Sequence, residues 1–282
     1  MTLIEEPKIF STSFLMGGLG NQMFQISHAV CQGWKNNVTS IFKCVSYTPM
    51  QANQPTKYID NILRNITFFD YKSQPNRISA PWQFVDLKPD WKTPIEFYGY
   101  FQSSKNFYGF EEKISNLFQP TEEFIDKIYK KFPNLKKKKT VSIHIRRGDY
   151  LTINTILPTI DKTYIDECLN QIGNYDQIFI FSDDIDWAKE NLNYDKSIIV
   201  ENLEDYEDLW LISLCKINIM SNSSFSWWGA FLNKNKNKKV FVPSIWFGPS
   251  GEQNYSDIYE SNWIKINTKF NNGKINYEQN KI

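Results

Sequence analysis

The chain has 282 residues, 41% of them hydrophobic, enough for one large core or two moderate ones, so a disordered polymer is excluded. Thirty-two basic residues against 31 acidic ones leave a net charge of +1. No global field therefore marks the chain for nucleic acid or an anionic membrane, and any phosphate binding must be local. Cys31, Cys44, Cys168 and Cys215 are dispersed, and two histidines in the whole chain leave no zinc-ligand spacing, so no metal is expected and a reducing compartment is the simpler reading.

The first ten residues include Glu5, Glu6, Pro7 and Lys8 and lack a basic-then-apolar signal pattern. Lys216 and Asn218 interrupt the most apolar run, so no membrane span is expected. The expectation is a soluble, cytoplasmic protein, with room for peripheral association with a membrane and no indication of its oligomeric state. Aromatic residues make up 16% of the chain, which suits a carbohydrate surface but weighs more heavily toward an aromatic core.

In chain order, the periodicity predicts a strand over 9–16, a turn at Gly17-Gly18-Leu19-Gly20 and a helix over 21–34. A strand over 39–45 follows. Residues 49–94 are irregular, rich in Pro, Asn and aromatics, and precede a strand over 96–101 and a mixed amphipathic run over 105–118. A helix over 121–132 leads into Pro133-Asn134-Leu135 and four lysines, which place a change of halves there: one domain over 1–135 and a second over 136–282. Beyond the lysines strands and helices alternate. Strands over 140–145, 177–181, 197–200, 217–220 and 239–242 interleave with helices over 162–171, 186–192, 204–214 and 225–232. That order predicts an α/β fold whose parallel sheets carry functional residues just past the strand ends. The tail beyond Asn271 reads as polar and loose.

Four segments could carry chemistry. His144-Ile145-Arg146-Arg147-Gly148-Asp149-Tyr150 ends a strand in which period two puts His144 and Arg146 on one face. A planar, permanently charged guanidinium suits a diphosphate, although an Arg–Asp pair closing the strand would read the same way. Ser221 to Ala230 (SNSSFSWWGA) starts a helix, where free backbone N–H groups make an anion site beyond ordinary capping by one Ser. Trp227 and Trp228 are expected to pack the helix on the sheet. In Phe181-Ser182-Asp183-Asp184, Asp184 reads as a helix cap and Asp183 as the ligand candidate, its carboxylate matching the paired N–H donors of guanine. The Gly17 to Gly20 turn lacks the last glycine of the dinucleotide fingerprint, but Gly18 and Gly20 permit close backbone approach and Asn21 offers both a donor and an acceptor.

Taken in order, GGLGNQMFQ at 17–25, YGYFQ at 98–102, HIRRGDY at 144–150, FSDD at 181–184 and SNSSFSWWGAFL at 221–232 resemble glycosyltransferase family 11, the α-1,2-fucosyltransferases. The resemblance implies a GT-B-like fold of two Rossmann-like domains, GDP bound mainly by the second, inversion at the anomeric carbon, and no cofactor or divalent metal. It maps the donor phosphate to Arg146, guanine to His144 and Asp183, the phosphate surroundings to Ser223 and Ser224, and a donor-side role to Asn21. The activity it implies is transfer of L-fucose from GDP-fucose to a sugar hydroxyl of an oligosaccharide or glycoconjugate, the 2-OH of a terminal β-galactoside. The same scaffold could use another GDP-deoxyhexose, and a lectin-like module without turnover is the binding-class alternative. Residues 151–160 contain no acid, unlike some relatives that place a catalytic glutamate there. Asp149 and Asp161 are the nearest carboxylates, Asp161 reading as a helix cap, so the base is Asp149 or the acceptor proton leaves through water.

Overall fold

The computed structural model describes residues 5–45 and 53–279, so Pro49, at the head of the irregular region, lies outside it. The chain divides into two compact units, Met1–Gln119 with Ser256–Glu260, and Pro120–Tyr255 with Ser261–Ile282.

In the first unit, β1 (Phe10–Ser13) leads into α1 (Leu19–Asn36) and β2 (Thr39–Ser40), followed by β3 (Asn76–Ser79), β4 (Ile95–Tyr98) and α2 (Glu111–Phe118). The strands form a parallel sheet in the order β2-β1-β4-β3. Serines tie α1 to the sheet: Ser11 Oγ donates to the Ala29 carbonyl at 2.9 Å and Ser13 Oγ to that of Gln25 at 2.7 Å. Gly33 permits this close approach, since a Cβ there would stand 2.4 Å from Ser40 Oγ and 2.6 Å from the Val38 carbonyl. The helix stops at Asn37, whose φ of 55° is the left-handed C-cap geometry asparagine tolerates. β3 is the strand the sequence did not announce. Its residues, Asn-Arg-Ile-Ser, show little apolar patterning because it is an edge strand with mostly exposed side chains.

The second unit opens with α3 (Glu122–Lys131) and α4 (Asn134–Lys137), then β5 (Thr140–Ile145), β6 (Thr159–Ile160), α5 (Lys162–Ile172), β7 (Gln177–Ser182), α6 (Ile185–Asn191) and β8 (Ser197–Ile199). It continues through α7 (Asp205–Leu214), β9 (Ile217–Ile219), α8 (Ser224–Phe231), β10 (Lys239–Pro243), β11 (Ile264–Ile266), β12 (Thr268–Asn271) and β13 (Lys274–Tyr277). Six strands make a parallel sheet in the order β11-β10-β9-β5-β7-β8. β5 is central and buried throughout, and its Val141, Ile143 and Ile145 pack with Ile178, Ile180 and Ile219. This burial on both faces is what a covered parallel sheet demands. The chain runs outward from β5 to β8, then returns to lay β9 on the other side of β5. That reversal makes the carboxyl ends of β5 and β9 the switch point where such sheets bind ligands.

Two expectations are corrected here. The change of halves expected at 135/136 falls at 119/120, because α3 belongs to the second unit: Phe124 lies 5.1 Å from the Trp210 ring and Lys127 Nζ pairs with Glu207 at 2.6 Å. The lysine run resembles a linker by charge, but the apolar face upstream of it has already committed. The described part of the tail beyond Asn271, residues 272–279, is not loose. Asn272 and Gly273, with φ of 47° and 77°, turn β12 into β13 as an antiparallel hairpin, and β13 also pairs with β6. Ile275 is fully buried there.

Candidate active site

At the switch point of the second unit β5 ends in His144 and Ile145, and the chain turns through Arg146, Arg147 and Gly148. Arg146 is gripped from two sides. Its Nε and Nη2 reach Asp149 Oδ1 at 3.0 and 2.7 Å, and its Nη1 reaches Asp183 Oδ2 at 3.0 Å. Burial opposes its charge, but Asp183 and Asp149 outweigh that and hold the guanidinium above its ordinary value. The side chain is 34% exposed, so the fork is fixed yet reachable. Asp183 spends its other oxygen on the Arg147 N–H at 2.8 Å. Gly148 makes room for this carboxylate, since a Cβ there would lie 2.5 Å from Asp183 Oδ2.

Arg147 points elsewhere. Its Nε pairs with Asp184 at 2.9 Å, and its guanidinium covers the Trp187 ring at 3.9 Å. Asp184 also caps α6 by accepting from the Trp187 N–H, as expected, and the Arg147 hydrogen bond holds its carboxyl below the usual range. Asp161 is likewise a cap, accepting from Thr163 N–H at 3.0 Å.

Across the switch point, His144 Nδ1 meets Ser221 Oγ at 2.9 Å, and its ring lies 5.1 Å from Phe225. Burial, aided by the nearby Arg146 charge, pushes the imidazole down to about 3, so it is neutral at physiological pH. The serines that follow β9 are largely engaged internally. Ser223 caps α8 by accepting from Phe225 N–H, and Ser226 Oγ donates to the carbonyls of Ser221 and Ser223. Ser224 is the first residue of α8, and what this helix start offers an anion is its first-turn backbone rather than a row of hydroxyls. Trp227 and Trp228 are fully buried and pack the helix, as expected.

In the first unit, Gly17 has a φ of 73° and a Cβ there would come 2.3 Å from Asn21 Nδ2, so only glycine fits. Gly18 precedes α1 as a cap without a side-chain hydrogen bond, and a Cβ there would meet nothing within 4 Å, which leaves the backbone open to approach. Gly20 and Asn21 lie in the first turn of α1, Gly20 buried and Asn21 half-buried. Gln22 Nε2 donates to the Gly17 carbonyl, while Gln25 takes the Met16 N–H and returns a bond to its carbonyl.

Three participants were missed by sequence reasoning: Tyr150, buried, whose hydroxyl donates to the Asn222 carbonyl at 3.0 Å; Asn222, which bonds the carbonyls of Pro158 and Trp246; and Gln102, which donates to Asn21. All three sit inside or beside quoted motifs, and that was their only signal. Among the described residues no group of three or more His, Cys, Asp or Glu could hold a metal ion, and no helix is long and apolar enough to cross a membrane.

The model of the family described as glycosyl transferase family 11 matches residues 7–267. The chain is 29% identical to an α-1,2-colitosyltransferase of Escherichia coli, over 89% of this chain and 97% of that protein. It is also 29% identical to the O-antigen biosynthesis glycosyltransferase WbnK of Escherichia coli, over 90% and 99%. Among solved structures, the α-1,6-fucosyltransferase NodZ soaked with GDP-fucose superposes with a TM-score of 0.52 at 10% identity, over 80% of this chain and 93% of that one. That likeness and the parallel sheets make the fold GT-B. The chain belongs to glycosyltransferase family 11.

Proposed function

We propose that the protein transfers L-fucose from GDP-fucose to the 2-OH of a terminal β-galactoside in an oligosaccharide or glycoconjugate, with inversion and without a divalent metal. The observation that carries this reading is Arg146, held in place by Asp149 and Asp183 at the switch point beside the start of α8. As the C1–O bond to the β-phosphate lengthens, charge grows on the phosphate. Donors already in place meet that charge at no cost of reorganisation, usually the largest catalytic contribution. The guanidinium and the first-turn N–H groups supply it, so a cation is redundant. The acceptor hydroxyl enters from the face opposite the departing GDP. Asp149 meets Arg146 through Oδ1 alone and is 39% exposed, which supports reading it as the base for the acceptor proton; the alternative is release to water.

His144 serves the nucleotide as a neutral imidazole. Asp183 has both oxygens committed to the two arginines, so its first task is to orient Arg146, and any guanine contact comes second. A second donor is favoured by one observation: a relative named for α-1,2-colitosyl transfer aligns over nearly the whole chain. A direct test incubates the protein with GDP-fucose, other GDP-deoxyhexoses, UDP-galactose and a β-galactoside in excess EDTA. GDP release with an α-1,2-fucosylated product is expected. Release only from another GDP-deoxyhexose would replace the donor, and glycan binding without GDP binding would return the lectin reading.

A further inference from the structure

After β4 the chain passes through a strained residue. Phe101 has a φ of 54°, a left-handed conformation that bulky side chains rarely adopt and that persists only where the surroundings impose it. Those surroundings are visible. Its carbonyl accepts from Ser103 N–H at 2.7 Å and from Asn106 Nδ2 at 3.0 Å, and its ring stacks on His28 at 4.0 Å. His28 Nδ1 in turn meets Asn106 Oδ1 at 3.1 Å.

The turn delivers Gln102 to the first turn of α1, where its Nε2 donates to Asn21 Oδ1 at 2.7 Å. On the other end of that amide, Asn21 Nδ2 fills the space left by the missing side chain of Gly17. Gln102 is 7% exposed, and its own Oε1 is buried with no hydrogen-bond partner among the described residues. A buried acceptor left unpaired is a cost that stability does not explain. Strain at Phe101, an unpaired atom at Gln102 and a mandatory glycine all converge on one asparagine.

We propose that Gln102 is a positioning residue for glycosyl transfer: by donating to Oδ1 of Asn21 it fixes which way round that side-chain amide stands. This rests on the reading that Asn21 serves the transfer reaction. Gln102→Glu keeps the shape, but its carboxylate cannot donate to Oδ1; protonation restores an O–H donor. Misplacement of a reacting partner costs on the order of tenfold to a hundredfold in rate, so kcat should fall by that factor at pH 8 while KM for the donor changes little. Relative to wild type at the same pH, kcat should recover as the pH falls and the glutamate protonates. In an Asn21→Ala background the same substitution should cost nothing further.

The ¹⁵N–¹H side-chain amide signal of Asn21 reads the contact without any donor, and it should shift in Gln102→Glu and return at low pH. An unmoved signal, a pH-independent loss, or an equal loss in the Asn21→Ala background would overturn the proposal. Absence of transfer in the wild type would defeat the functional reading instead, and the amide signal would still decide whether Gln102 orients Asn21.

Discussion

In the second unit β5 runs into Arg146, Arg147 and Asp149, with Asp183 and Asp184 arriving from β7, so its strand ends are crowded with fixed charge. In the first unit β1 runs into Gly17, Gly18 and Asn21, and the amides of Gln22, Gln25 and Gln102 hold that turn with no charged group among them. Both sheets put their polar residues where the chain reverses direction, at β5 and β9 in one and at β1 and β4 in the other. The same plan thus sets out two kinds of polar surroundings. Fixed charge suits a diphosphate whose negative charge grows during reaction, whereas oriented amides suit neutral hydroxyls and a backbone approached closely.

The largest expected effect breaks the charged end. Arg146→Ala should lower transfer by on the order of a hundredfold or more, and Arg146→Lys should not restore it, because an ammonium cannot reproduce the fork held by Asp149 and Asp183. Near-normal kcat/KM in a folded lysine variant would end the assignment. Breaking the neutral end should be milder. Gly17→Ala forces an L side chain to a φ of 73° at a cost of about 1–2 kcal/mol and pushes Asn21 aside, so stability to urea and transfer should fall together. Unchanged stability would show that the turn relaxes.

Each unit also buries one histidine. His28, by burial against an opposing Asn106 hydrogen bond, and His144, by burial with Arg146 adding to it, are both pushed from 6.5 to about 3. Between those values the unfolded chain binds protons that the folded one refuses. Stability should therefore fall as pH drops from 6.5 toward 3, and His28→Gln or His144→Gln should each flatten that slope in denaturant titrations. A slope untouched by both substitutions would place the acid sensitivity elsewhere. The smallest effect expected is that of metal removal: transfer should persist in excess EDTA and Asp186→Asn should change the rate little, since Asp184 is already spent on Arg147 and the cap of α6. Loss in EDTA restored by Mn²⁺ or Mg²⁺ would count against this mechanism.

Much of this was legible in the sequence because strict local rules governed it. The buried period-two run of β5 was located at Thr140 and Ile145 to the residue, and the caps Asp161 and Asp184 were read from their places before helices. The edge strand β3 escaped because an exposed edge imposes little pattern. The hairpin of β12 and β13 escaped although Asn272-Gly273 is a strong turn signal, because its strands are short and mostly polar and bury little beyond Thr268 and Ile275. In the site, residue types pointed to Arg146 and its local partner Asp149, but that Asp183 would grip it from the other side depended on the pairing of β5 with β7. Likewise, Gln102 and Asn21 lie 81 positions apart, and no local rule joins them.

Whether Arg146 anchors the diphosphate of a guanine nucleotide is decided by calorimetric titration of GDP and guanosine into wild type and Arg146→Ala. Wild type should bind GDP far more tightly than guanosine, and the variant, still folded, should lose that advantage while retaining its affinity for guanosine. A variant that keeps the full preference for GDP would contradict that anchoring role.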